Sequence, residues 1–147
     1  MKFRKSVVIP ASQEALFEFH QNPHNITKIS PPGFTVKKIE ASNRARKGES
    51  FYLVVSAFGI PLHWAGMWLD VKRPTILVDT AKVLPFSSWR HEHSFQKVKN
   101  GTEMTDDLEY RIVWFLGGEL TARTVFALFF TIVFAARHRS TVKLFKR

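Results

Sequence analysis

Trp89-x-His91-x-His93-x-Phe95 concentrates more chemistry than any other stretch of this 147-residue chain. Side chains alternate along a strand, so these four share one face, while Arg90, Glu92, Ser94 and Gln96 share the other and belong in water. Two imidazoles therefore point inward with a Trp and a Phe. Residues 102–113 alternate in the same way, with Met104, Asp106, Leu108, Tyr110 and Ile112 inward and Glu103, Asp107, Glu109 and Arg111 outward. Asp106 is then an inward carboxylate among apolar neighbours. Asn100-Gly101 marks a tight hairpin between the two runs, which lays the His91/His93 strand beside the Asp106 strand. An Asp that orients a His is the core of general acid–base chemistry, with His91, His93 and Asp106 as the candidate catalytic groups. The same residues could satisfy one another as buried polar groups, or anchor the polar end of a ligand. His-x-His is also a metal-ligand spacing. Asp106 or His63 would have to be the third ligand, so no metal or cofactor is expected.

Other chemistries are excluded by what is missing. The cysteine count is zero, which removes disulfide scaffolds, Cys-ligated zinc, iron–sulfur clusters and thiol nucleophiles. There is no Gly-x-Ser-x-Gly elbow, phosphate loop or dinucleotide fingerprint. A hydrophobic share of 45% against 23% charged residues fits a folded globular chain, and residues 1–147 have room for one domain. The aromatic share of 14%, with 14 Phe and 4 Trp, is high and suits a cavity wall.

The elements that must position these groups can be read along the chain. A strand at 2–9 puts Phe3, Val7 and Ile9 on one side, and Pro10 ends it. Ser12 caps a short helix through Leu16, Phe17 and Phe19, which Asn22-Pro23 breaks. A second short helix is expected from His24 to Ile29. Strands follow at 34–41, 49–58, 62–72, 76–83, 88–98 and 102–113, separated by Arg44–Gly48, Gly59-Ile60-Pro61, Arg73-Pro74, Leu84-Pro85 and Asn100-Gly101. In 62–72 both faces are apolar, Leu62, Trp64, Gly66 and Trp68 against Ala65, Met67, Leu69 and Val71, so alternation does not choose. After Gly117-Gly118 a long helix runs from about Glu119 to Lys143 or beyond. The class is α+β: a curved antiparallel sheet wrapped around that helix, with two short helices after the first strand.

The terminal helix has two apolar stripes. Ala122, Phe126, Phe129, Phe130 and Val133 form one side, the expected lid over a cavity. Val125, Leu128, Ile132 and Ala135 form the other, to be covered by loops, by a second subunit as a homodimer, or by lipid. Net charge is +10, from 22 basic and 12 acidic residues, and Arg137 to Arg147 holds five basic residues and no acidic one. That distribution fits a solvated surface and helix end, or an anionic membrane surface; no nucleic-acid motif accompanies it. Val125–Ala136 would rise only about 18 Å as a helix, short of the ~30 Å hydrocarbon core, so a spanning helix is not expected. With no signal-like N-terminus, the expected location is the cytoplasm, with membrane association as an option.

Several of these stretches are similar to one known group. Ala15-Leu16-Phe17-Glu18-Phe19-His20, then Asn25, Ile29 and Pro31-Pro32-Gly33, resembles the start of SRPBCC-superfamily proteins. This is the START-related, helix-grip group that includes polyketide cyclases and coenzyme Q-binding proteins. Trp64, Pro74, Val78-Asp79, Pro85-Phe86, the Trp89–Phe95 run, and Gly101-Thr102 with Met104, Asp106 and Tyr110 continue the resemblance over nearly the whole chain. Similar members read Gly-Pro-Phe where this chain has Leu84-Pro85-Phe86. The resemblance implies about seven strands gripping the C-terminal helix around a hydrophobic tunnel, and no particular reaction.

The leading expectation is a binding or carrier protein for a small apolar molecule, aromatic, polyketide or isoprenoid-like, rather than an enzyme. Its lining would be Trp64, Trp68, Trp89, His91, His93, Phe95, Met104, Asp106, Leu108, Tyr110, Phe126, Phe129, Phe130 and Val133. One alternative is a polyketide cyclase or dehydratase using the His/Asp pair. The other is a membrane-surface adaptor that docks through the outer stripe and basic tail.

Overall fold

The computed structural model describes residues 1–146. Strand β1 (Lys2–Ile9) leads into helix α1 (Gln13–Gln21) and a 3-10 turn (Pro23–Lys28). Six strands follow: β2 (Phe34–Glu40), β3 (Ser50–Ala57), β4 (Ile60–Lys72), β5 (Ile76–Lys82), β6 (Phe86–Val98) and β7 (Gly101–Ile112). A short 3-10 turn (Trp114–Leu116) then reaches the terminal helix α2 (Gly118–Phe145). Ser12 Oγ accepts the Ala15 N–H at 3.1 Å and starts α1, as its cap position requires. Asn22 Oδ1 accepts the His24 N–H, so the second short helix begins at Pro23 and takes the tighter 3-10 form.

The strands pair antiparallel in the order β1-β7-β6-β5-β4-β3-β2, which brings the first strand beside the last. Register shifts at Val36/Lys38, Trp68/Asp70 and Phe86/Ser88 are bulges, which bend a sheet and let it wrap a helix. The β4 bulge also resolves the strand with two apolar faces. Before it, Trp64, Gly66 and Trp68 point inward while Ala65, Met67 and Leu69 are exposed; beyond it Val71 returns to the core. The loop expected at Gly59-Ile60-Pro61 shrinks to the two-residue turn Phe58-Gly59. Pro61 lies in β4 opposite Ser56, at an end of the strand that β5 does not reach, so its missing N–H breaks no ladder.

Two apolar clusters fill the concave side. Ile9, Leu16, Phe17, Leu77, Phe95 and Met104 pack under α1. Trp89, Leu108, Tyr110, Phe130 and Phe134 pack under α2, whose turn at Ala122–Phe126 is π-helical. Helix α2 buries Ala122, Phe130, Phe134, His138 and Thr141. Its other stripe stays bare, with Leu128 64% exposed and Val125 and Ile132 alongside, so no loop among the described residues covers it. By length and composition α2 could cross a membrane, although its inner side packs on the sheet. Arg147, the last of the basic tail, lies outside the described residues.

Gly66 in β4 faces Phe51 in β3, whose ring lies over the glycine and against Trp68 at 5.2 Å between ring centres. A Cβ there would meet the Phe51 ring well inside van der Waals contact. Gly66→Ala is expected to destabilise the fold by about 1–3 kcal/mol through overpacking, read from urea unfolding of the two proteins side by side.

Candidate functional site

Strand register assembles a polar cluster within the apolar interior. His93 on β6 stands opposite Asp106 on β7, and His91 on β6 stands opposite Asp79 on β5. All four point inward and are buried. His91 Nε2 donates to Asp106 Oδ1 at 2.8 Å, and His138 Nε2, reaching down from α2, donates to Oδ2 at 2.5 Å. His93 Nδ1 sits 2.8 Å from Oδ1 but off the line of a hydrogen bond, and is left without a partner. Burial works against ionisation of Asp106, yet the imidazoles around it overcome that penalty and hold its carboxyl well below the usual range. Because that carboxylate can only accept, the proton on both His91 and His138 lies at Nε2.

The remaining groups have different environments. Burial pushes the Asp79 carboxyl up to about 6, against the pull of His93. Burial also lowers His93, with the neighbouring His91 adding to the effect. His20 on α1 is pushed down to about 3, by burial first and by His93 second. Its Nδ1 donates to the Leu16 carbonyl at 2.8 Å, which leaves Nε2 as an acceptor. Arg137 lies over the Phe134 ring at 5.5 Å, with burial lowering it and the two carboxylates opposing that shift.

These groups form one end of a cavity of about 250 Å³ between sheet and helix. Its polar end is His20, Asp79, His91, His93 and Arg137, and its remaining wall is largely aromatic and aliphatic, including Phe34, Leu53, Phe86 and Phe134. Among the residues expected from sequence, Trp64, Trp68, Trp89, His91, His93, Phe126, Phe129, Phe130 and Val133 line it. Five do not. Phe95 packs edge-on to Phe17 under α1, with Met104 in the same cluster. Leu108 and Tyr110 lie under the start of α2, where the Tyr110 hydroxyl donates to the Ala122 carbonyl at 2.7 Å. Asp106 sits behind the two imidazoles. Alternation identified the inward face correctly, but it does not say which part of that face a helix covers.

Four residues of the site lie outside the expected lining. His138 continues the buried helix positions Phe130 and Phe134 at four-residue steps, and His20 follows Leu16 at the same spacing. Asp79 shares the inward alternation of Leu77 on β5. Arg137 precedes His138 and reaches the cavity beside Phe134. His63, weighed as a third metal ligand, lies exposed on the convex face beside Tyr52, remote from this cluster. Asp79, His91 and His93 each bring a ligand atom within 4.8 Å of the others, a spacing one cation could bridge. Chemically, the end of the cavity offers a carboxyl poised near neutrality, three imidazoles, of which His20 and His91 have fixed tautomers, and a guanidinium. That set can hold a polar group or move a proton.

Removing one partner of a buried ionic network leaves the others uncompensated, so Asp106→Asn is expected to cost about 3 kcal/mol in urea unfolding. The pH dependence has a definite sign. An unfolded His20 takes up its proton near 6.5 and the folded one near 3, so between these values stability falls as pH falls. Asp79 acts oppositely, because its folded carboxyl protonates near 6 and the unfolded one near 3.8. His20→Phe should therefore flatten the loss of melting temperature on acidification below pH 6.5.

No protein-family model matches the chain, and no curated protein does. Solved structures match over nearly its whole length. A protein from Chromobacterium violaceum superposes with a TM-score of 0.80 at 16% identity, covering 99% of this chain and 97% of its own. A START superfamily protein from Mycobacterium smegmatis gives 0.73 at 11% identity over 99% and 97%. The AHSA1 protein from Silicibacter pomeroyi gives 0.74 at 14% over 97% and 96%. Identities this low speak for architecture alone. In its curved seven-stranded sheet and gripped terminal helix, the chain has the helix-grip fold that a START superfamily protein also carries.

Proposed function

We infer that this protein binds or carries a small, mostly apolar molecule with one polar group, held between the sheet and α2. The observation that carries the reading is the two-ended cavity: aromatic along most of its wall and ionisable at one end. Apolar contact area supplies affinity in such a site, and a few convergent polar groups fix orientation. Trp64 and Trp89 meet edge to face at 4.8 Å and offer flat surface for an aromatic or isoprenoid-like ligand. His20 Nε2, with its lone pair free, and the Arg137 guanidinium would receive a hydroxyl, carbonyl or carboxylate.

A naphthalene sulfonate dye tests this directly, because it absorbs where tryptophan emits. Saturable, one-to-one quenching of tryptophan emission is expected. Val133→Phe, which fills the cavity from α2, should abolish it, while Leu128→Ser on the outer face should leave it intact. Quenching that survives Val133→Phe would sink the reading.

A second reading is favoured by the uncovered stripe on α2. Val125, Leu128, Ile132 and Ala135 continue at three- and four-residue steps into Arg139, Lys143 and Lys146. No acidic residue follows Glu119, so the apolar half of the face runs into a basic half. Trp114, 85% exposed, and Phe115 and Leu120 extend the apolar end. An apolar strip with a basic continuation suits an anionic lipid surface, on which α2 would lie flat, with the protein otherwise cytoplasmic. Sedimentation with vesicles should show binding to mixed phosphatidylcholine and phosphatidylglycerol, and little to phosphatidylcholine alone. Leu128→Glu with Ile132→Glu should weaken it about tenfold or more. Raising salt from about 0.1 M to about 1 M, where the Debye length falls from ~10 Å to ~3 Å, should weaken it too. A stable dimer that ignores vesicles would assign the stripe to a second copy instead.

A further inference from the structure

We propose that Asp79, His91 and His93 form a binding site for a divalent transition-metal cation such as Zn²⁺, with Asp106 as the carboxylate behind it. The sheet register carries the first part of the case. His91 and His93 stand two apart on the inward face of β6, and Asp79 stands directly across from His91 on β5. Two imidazoles and one carboxylate converge this way without any loop to position them. The donor set suits zinc, cobalt or iron rather than calcium or magnesium, which prefer oxygen.

Distances and tautomers carry the second part. Ligand atoms from the three side chains lie within 4.8 Å of one another, and His91 Nδ1 is 4.0 Å from Asp79 Oδ2. Tetrahedral bonds of about 2.0–2.1 Å put neighbouring ligand atoms roughly 3.4 Å apart, so closure takes side-chain shifts of about an ångström. His91 donates its Nε2–H to Asp106, which leaves Nδ1, the nitrogen nearest Asp79, with the lone pair. His93 has its Nδ1 beside the same Asp106 oxygen but unpartnered. A small rotation of that ring would complete a second N–H···carboxylate bond and present Nε2 as the ligand. Metal-bound histidines are characteristically held in this way by a carboxylate on their other nitrogen. His138 takes no ligand role: its Nε2 is committed to Asp106, and it stands outside the cluster that Asp79, His91 and His93 form.

Charge and access complete it. Asp79 and Asp106 are buried carboxylates facing one guanidinium, that of Arg137, and a divalent cation would compensate their charge. With three protein ligands at the cavity wall, one coordination position is left facing the cavity, the open arrangement of a site that engages a ligand. Metal binding stands apart from the carrier reading, since it can be measured with the cavity empty.

Cobalt(II) is the probe. After chelator treatment, the whole chain should take up one Co²⁺ with the intense visible absorption of four- or five-coordinate cobalt, and Zn²⁺ should displace it. Asp79→Asn and His93→Gln should each weaken binding by about 100-fold or more, and Asp106→Asn by about 10–100-fold. His63→Ala, on the convex face, should leave it unchanged. Zn²⁺ should also raise the melting temperature of the wild type, a reading that needs no variant to fold. No cobalt band and no shift in melting temperature would overturn the proposal. Undiminished binding in Asp79→Asn, or loss in His63→Ala, would overturn it as well.

Discussion

The Asp106 carboxylate is the joint on which the arrangement depends. It lies on β7, receives a proton donor from His91 on β6, and receives another from His138 on α2. One buried charge thus ties strand to strand and sheet to helix. A carboxylate taken out of water is costly unless every lone pair is met, so Asp106 is stable in this position only while the imidazoles are in theirs. The link fixes the rotation of α2 about its axis, because His138 can reach Asp106 in only one setting. That setting in turn decides that Phe130 and Phe134 face the sheet while Leu128 and Ile132 face away.

A helix pinned near its C-terminal end must find its own packing at the other. There Phe130 does most of the work, with ring centres 4.9 Å from Tyr110 and 5.9 Å from both Phe86 and Trp89. Tyr110 adds a directed contact by donating to the Ala122 carbonyl, within the turn where the helix widens to π geometry. A widened turn frees a carbonyl from the regular ladder, and here the tyrosine hydroxyl meets it. Between the polar joint and the aromatic hub the helix spans a sheet that bulges have curved away from it. The cavity is the space those two anchors leave unfilled.

How much of this was legible follows from what each signal encodes. Alternation on β6 and β7 is strict, so the inward placement of His91, His93 and Asp106 could be read. The hairpin, expected to turn at Asn100-Gly101, turns one residue earlier at Lys99-Asn100, so Val98 pairs with Gly101, and it is this register that sets His93 opposite Asp106. Alternation on β4 is degenerate, and only the bulge at Trp68/Asp70, which depends on the β5 partner, separates its faces. The expected helical stripe ends at Val133, although four-residue steps from Phe130 lead on to Phe134 and His138, which are buried. Phe95, Met104, Leu108 and Tyr110 point inward as expected but contact α1 or α2, a distinction that rests on where helices land. The two-residue turn at Phe58-Gly59 escaped because a phenylalanine at positive φ has no turn signature.

Beyond the Asp106 joint, the fold does not call for further ionisable groups at the cavity end. Chains of 11–16% identity adopt the same architecture, so the fold tolerates replacement of most of its side chains. An interior of similar volume made from Leu and Phe would avoid the desolvation that moves Asp79 up to about 6 and His20 down to about 3. It would also avoid leaving the Trp89, His93 and His138 ring nitrogens without partners. Trp89 and His93 line the cavity while His138 lies behind it, and a buried polar group short of partners has a physical rationale where a bound group can complete it. His138 and Asp106 serve the fold, as the joint between helix and sheet. Asp79, His93, His20 and Arg137 make no such joint; they stand together at the polar end of the cavity.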